Sequence, residues 1–312
     1  MRFSTYISRG KGSAIKGLVF VFCVTTVSMN AQQEWGYTQY VFNLYDINAA
    51  YAGNHNSGSF GLRHRSQWIG FEGAPVTQAL SFHAPLCNEK LGAGIKLLNE
   101  SIGARNRQVV KASVAFKLAL GESKLSFGFA GGMQRQGINR SKLTAAEQED
   151  AQFVNLPSSV ATPVIDASIF FNSKTVYFGI ESNNINRGKF IKRENSFSRL
   201  YYNVSLVGGY LKKIRENSML QFSALLKFSE PAELQVDGNI LYLINNKYWL
   251  GAGYRWEYGP HAMAAINFTE HFRLGLSFDI ATNQMRASND GSAEIFLGYN
   301  LKNRSGKSIR YF

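Results

Sequence analysis

The chain has 312 residues and a formal net charge of +13, with 15 Tyr, 23 Phe, 4 Trp and 29 Gly against 6 Pro and 18% charged residues. A mean hydropathy of -0.17 excludes a bundle of membrane helices, and 2 Cys exclude a disulfide scaffold. Aromatic-rich, glycine-rich and proline-poor composition points to many strands, in either a soluble sheet protein or a membrane barrel.

At the amino end Arg2, Arg9, Lys11 and Lys16 precede the apolar run GLVFVFCVTTVSM (17–29), and Ala31 follows. That order is a secretory signal peptide over residues 1–31, its apolar run too short to span a bilayer comfortably. Met29 suits a cleavage site poorly, so the bond itself is left open. Phe22, ahead of Cys23, is too large for a lipoprotein-type cut. Removing these four basic residues and no acid lowers the charge from +13 to +9 and leaves Cys87 without an internal disulfide partner. The remaining basic residues are scattered and form no recognition module, so nucleic acid is a poor partner for this exported chain.

Residues 32–56 follow neither a strand nor a helix period. They hold Trp35, Tyr37, Tyr40, Phe42, Tyr45 and Tyr51 together with Gln39, Asn43, Asn48 and Asn54. Such a segment suits a plug inside a lumen, its aromatics on the wall and its amides satisfying polar groups. A periplasmic strap and an ordinary amino-terminal cap are the alternatives. Gly53 allows the turn into the first strand.

Period-two alternation then recurs to the carboxyl end. In 219–229, for example, Leu220, Phe222, Ala224, Leu226 and Phe228 oppose Gln221, Ser223, Lys227 and Ser229. Fourteen strands are predicted, over 58–69, 76–84, 91–100, 107–119, 124–134, 163–171, 174–182, 199–211, 217–229, 235–244, 247–256, 260–268, 271–279 and 291–302. Most exceed the roughly five or six residues usual in soluble sheets and suit tilted membrane strands, apolar outward and polar inward.

The long connections, 135–162, 183–198 and 280–290, all fall between odd and even strands, whereas the even-to-odd turns are short. Outer-membrane barrels place short turns in the periplasm and long loops outside, and an even strand count puts both ends in the periplasm. The expected fold is therefore all-β: one outer-membrane barrel of about fourteen antiparallel strands over 57–303, its lumen occluded by the amino-terminal segment and loops. TAAEQED (144–150) is the best local helix, 183–198 reads as an exposed loop, and 304–312 as a periplasmic tail ending in an aromatic residue that suits barrel assembly.

In RSQWIGFEGAP (65–75), Trp68 and Phe71 suit an aromatic girdle, and Gly70, Gly73 and Pro75 shape the turn. Arg63, Arg65 and Gln67 share the luminal face, where Glu72, Glu100 and Asp166 are candidate partners. The same parity puts His64 on the lipid side, which requires a place near the rim or a slip of register. His55, His64, His83, His261 and His271 have no metal-ligand spacing, and no nucleophile, phosphate-loop or dinucleotide motif is present, so no catalytic, metal or cofactor residue is assigned. His83 and Ser81 read as polar wall residues. A barrel of this strand number is wide enough for a diffusion pore unless it is filled, so a small-solute porin is the alternative function.

YTQYVFNLYDINAAYAG (37–53), RSQWIGFEGAPVTQALSFHAPL (65–86) and LGAGIKLLNESIG (91–103), in that order, resemble the PorP/SprF family of Bacteroidetes outer-membrane proteins of type IX secretion and gliding motility. The matching residues include Gln39, Tyr40, Phe42, Asn43, Asn48, Tyr51 and Gly53, then Gln67, Trp68, Gly70, Phe71, Pro75 and Thr77, then Leu91, Gly92 and Gly94. Ala49 departs from the proline usual in the family. The resemblance implies a non-enzymatic, monomeric barrel that anchors or couples a large secreted surface protein bearing a type IX carboxyl-terminal signal domain. It also implies contact, in some members, with periplasmic secretion-ring or peptidoglycan-binding components, and with outer-membrane lipid. Trp35, Tyr37, Gln39, Tyr40, Phe42, Asn43, Asn48, Tyr51, Gly53, Trp68 and Phe71 are the candidate plug or partner-binding residues.

Overall fold

The computed structural model describes residues 36–55, 57–86, 89–142, 159–187, 189–193, 196–229 and 232–301. The strands are β1 (Ser59–Ser66), β2 (Val76–Leu86), β3 (Leu91–Ile102), β4 (Arg105–Leu120), β5 (Ser123–Ile138), β6 (Ser159–Asn172), β7 (Val176–Asn183), β8 (Lys189–Arg193) and β9 (Ser196–Arg199). They continue with β10 (Asn203–Arg215), β11 (Ser218–Ser229), β12 (Ala232–Ile244), β13 (Tyr248–Arg255), β14 (Gly259–Asn267), β15 (Phe272–Asp279) and β16 (Ser292–Asn300). All except β8 and β9 join one closed antiparallel barrel, in which β10 follows β7 and β1 pairs with β16. Closure leaves no sheet edge inside the membrane, where water cannot satisfy an unpaired backbone group.

The fourteen barrel strands are those predicted, with shifted ends. β1 stops at Ser66 because Gln67 N donates to Pro75 O and positive φ at Trp68 (50°), Gly70 (88°) and Gly73 (74°) turns the chain out of the sheet. β5 and β6 run further than expected, to Ile138 and from Ser159, because their ladder continues through Gly137 opposite Ser159. The connection over 183–198, read as a plain loop, holds the separate β8–β9 hairpin. Residues 1–35, 144–150 and 304–312 lie outside the described residues, and with them the signal peptide, Trp35, the helix candidate and the tail.

Ser59 pairs with Asn300, so the barrel proper begins and ends at the rim of the short turns. His64 pairs with Ile295 and Gln78 with no register shift. It therefore faces outward near the opposite rim, and the slip considered above does not occur. Outward-facing apolar residues such as Leu62 and Val114 are exposed on the wall, while Arg63, Arg65, Ser81 and Glu294 point inward and are buried.

Ahead of β1, residues 36–55 run through the inside of the barrel. Gly36 lies beside Gln235 and Arg255 at the long-connection rim, and Gly53 beside Ala84 and Gly92 at the short-turn rim. Three single 3-10 turns, Tyr40–Phe42, Leu44–Asp46 and Ala49–Tyr51, fold this length compactly. The irregular path follows from the lack of any period-two pattern. A segment without a strand partner must satisfy each buried N–H by turns or by wall side chains.

Candidate functional site: the luminal segment and its clamp

That requirement builds the site. Thr38 N and Gln39 N donate to the Glu294 carboxylate of β16 at 2.9 and 3.1 Å, and Gln39 Nε2 donates to Glu294 O at 3.0 Å. Ala49 N donates to the Glu181 carboxylate of β7, Ala50 N to Ser168 Oγ of β6 at 2.8 Å, and Gly53 N to His83 Nδ1 of β2 at 3.0 Å. Lys117 Nζ donates to Gly53 O. Together these bonds tie the segment to five staves of the barrel, β2, β4, β6, β7 and β16.

The upper half is a buried charge cluster. Arg63 reaches Asp46 of the segment at 2.8 Å and Glu294 at 2.6 Å, and its guanidinium lies 4.1 Å from the centre of the Tyr37 ring. Arg65 reaches Asp279 at 2.5 Å and Glu294 at 3.2 Å, and Arg255 reaches Asp237 at 3.0 Å and Asp279 at 3.3 Å. Thr38 Oγ1 donates to Asp279 at 2.7 Å and accepts from Arg65 at 3.0 Å and from Arg255 at 3.3 Å. Below them, Tyr40 OH donates to Ser223 Oγ at 3.3 Å and accepts from Asn239 Nδ2 at 3.0 Å. His261 Nε2 sits 2.6 Å from Asn239 Oδ1. Mutual pairing offsets the desolvation that would make any one of these charges untenable in a closed lumen.

The lower half is aromatic and amide. Phe42 packs edge-on to Trp249 and stacks with Phe296, with centroids at 5.9 and 6.3 Å. Asn43 Nδ2 donates to Ser81 Oγ at 2.8 Å, and Tyr45 OH lies 2.7 Å from Ser113 Oγ. Asn48 accepts from Ala50 N at 3.0 Å and donates to the carbonyls of Ile169 and Ile180 at 3.2 and 3.1 Å. Tyr51 stands edge-on to Phe170 at 5.1 Å, its hydroxyl 3.1 Å from His55 Nε2. Burial, with Arg273 and Lys117 near, lowers the His55 imidazole from 6.5 to about 4.

Wall glycines make the fit possible. A Cβ at Gly92 would stand 1.9 Å from Ala52 O, and one at Gly128 would stand 2.3 Å from Ala50 N. Beside the segment, a partly open pocket of about 40 Å³ lies among Asp46, Arg107, Lys111 and Glu181. That is room for about one water molecule.

The structure gathers Tyr37, Gln39, Tyr40, Phe42, Asn43, Asn48, Tyr51 and Gly53 in the lumen and leaves Trp68 and Phe71 apart, on the 67–75 connection. Ser81 and His83 are wall residues that hold the segment. The partners expected for Arg63 and Arg65 were not found. Glu72 is exposed, Glu100 pairs with Arg107 and Asp166 with Lys111, and Gln67 lies beyond the strand end. Asp46, Asp279 and Glu294 take that role, while Asp237 holds Arg255, and reasoning from sequence missed all four. The one available signal was an acid placed inward by strand parity at Asp237, Asp279 and Glu294. Among the described residues no cluster of three or more His, Cys, Asp or Glu could hold a metal.

Solved structures similar to this chain include bacterial transporters and an outer membrane protein. The toluene transporter TbuX of Ralstonia pickettii is 8% identical, with a TM-score of 0.50 over 85% of this chain and 93% of its own. The toluene transporter TodX of Pseudomonas putida is 11% identical, with a TM-score of 0.48 over 86% and 95%. Omp33 of Acinetobacter baumannii is 10% identical, with a TM-score of 0.46 over 78% and 99%. At such identities the likeness speaks for the fold alone. No curated protein matches the chain in sequence. The family model described as type IX secretion system membrane protein PorP/SprF matches residues 29–299. The chain is thus a non-enzymatic outer-membrane barrel of the transport and anchoring kind, and it belongs to the PorP/SprF family of the type IX secretion system.

Proposed function

We propose that this barrel anchors a large secreted surface protein, one bearing a type IX carboxyl-terminal signal domain, or couples it to the secretion or gliding machinery. The observation that carries this reading is the filled lumen. The segment 36–55 is tied to β1, β2, β4, β6, β7 and β16, and the adjoining pocket holds about 40 Å³, so the barrel serves as a rigid wall and rim rather than a conduit. The segment residues Tyr37 to Gly53 act as plug and stiffener. Trp68 and Phe71, on the long connection at the outer rim, are the candidates for partner contact. Periplasmic ring or peptidoglycan-binding components would meet the short-turn rim.

The competing function is small-solute transport, which the names of TbuX and TodX state for those proteins. A filled lumen argues against it. Purification of the native protein in mild detergent, with identification of stoichiometric partners, tests the proposal. Recovery of one large exported protein is expected. Free barrel that conducts ions steadily in planar bilayers would overturn the anchoring reading.

A further inference from the structure

The outer wall changes chemistry between two neighbouring rows. Leu62, Leu80, Leu97, Val110 and Met133 lie side by side across β1 to β5, and all are exposed outward. The next outward row toward the outer rim is His64, Gln78, Asn99, Gln108 and Arg135. Polar side chains facing outward directly above an apolar row mark the end of the hydrocarbon, since an unpaired polar group in lipid is costly.

Where this boundary crosses the β1–β16 seam, a groove of about 500 Å³ opens on the outside of the barrel. Ile295 and Val76 line its walls, His64 lies at its strand side, and Trp68 and Ile69 of the connection roof it. The roof is pinned to the connection ahead of β16 and to its first residue: Ile69 N donates to Gly291 O and Asp290 N to Ile69 O, both at 2.8 Å, and Trp68 N donates to Ser292 Oγ at 3.2 Å. His64 Nε2 lies 3.2 Å from Ser66 Oγ. Trp68 Nε1–H is buried without an acceptor among the described residues.

We propose that this groove binds one lipid of the outer leaflet, its acyl chain along Ile295 and Val76 and its acceptor-rich head-group linkage at Trp68 and His64. The groove is continuous with the hydrocarbon belt, so an acyl chain enters without leaving its own phase. A volume of this size suits a single ligand. The groove's polar edge, at His64 and the Trp68 roof, suits an ester, amide or phosphate oxygen, which a bare hydrocarbon tail lacks.

Native mass spectrometry of the full-length protein extracted from its own outer membrane tests this, counting lipids retained per barrel. Ala293→Phe fills the groove, Trp68→Phe removes the donor but keeps a ring, and Leu250→Phe alters the lipid face elsewhere. Heat-modifiable gel mobility verifies closure of each variant. Wild type and Leu250→Phe should retain the same tightly bound lipid. Ala293→Phe should lose it by about tenfold, equivalent to about 1.4 kcal/mol, and Trp68→Phe by a smaller factor. A closed Ala293→Phe barrel with wild-type lipid would overturn the proposal, as would a groove variant that sheds a protein instead of a lipid.

Discussion

Arg65 shows what a single side chain does here. It is fully buried between Asp279 and Glu294, and it shares Thr38 Oγ1 with Arg255. Arg65→Met leaves two carboxylates short of a counter-charge, and a broken buried pair costs about 3–5 kcal/mol. The denaturant midpoint of the refolded barrel should fall accordingly. The double variant Arg65→Met, Asp279→Asn should recover part of that loss, because the remaining charges are better matched. His55 acts through pH. Its folded value of about 4 lies below the ordinary 6.5, so the unfolded chain takes up a proton that the folded chain refuses. Stability is full above pH 6.5 and falls as pH drops toward 4, by about 2 kcal/mol at pH 5. Melts of wild type at pH 7.5 and 5 should show that difference, and His55→Asn should shrink it. Of these residues, the segment aromatics and amides were legible in the sequence because they break the alternation around them. The acids that hold Arg63 and Arg65 were not, since Asp279 and Glu294 stand more than two hundred residues further along the chain.

The strands and the luminal segment depend on each other. β2 to β7 present small residues where the segment passes, so Gly128→Val should push Ala50 off the wall, while Gly131→Val, with nothing within 4 Å of the added carbon, should not. Protease sensitivity within residues 36–55 should rise in the first variant and stay at the wild-type level in the second. The strands themselves were readable because a half-lipid, half-lumen surface imposes a period of two on every stave. The β8–β9 hairpin was not, because its short strands, among Asn, Gly and charge, lack that contrast.

For the whole molecule, filling the lumen makes closure of the barrel and docking of the segment one event. Glu294 of the last strand holds both Arg63 and Arg65 of the first strand and the backbone of Thr38 and Gln39. Deleting residues 37–54 should therefore leave a barrel that either closes poorly, seen as lost heat-modifiable mobility, or closes and conducts. The intact barrel should be silent in the same bilayers. The sequence by itself determined the strand count, the two faces of each strand and the family motifs, because these are local patterns a few residues long. Only the tertiary structure decided that the amino-terminal segment lies within the lumen rather than beneath it, and which acids clamp it. A closed barrel brings its first and last strands side by side, and the charge partners that matter are set by that closure rather than by spacing along the chain.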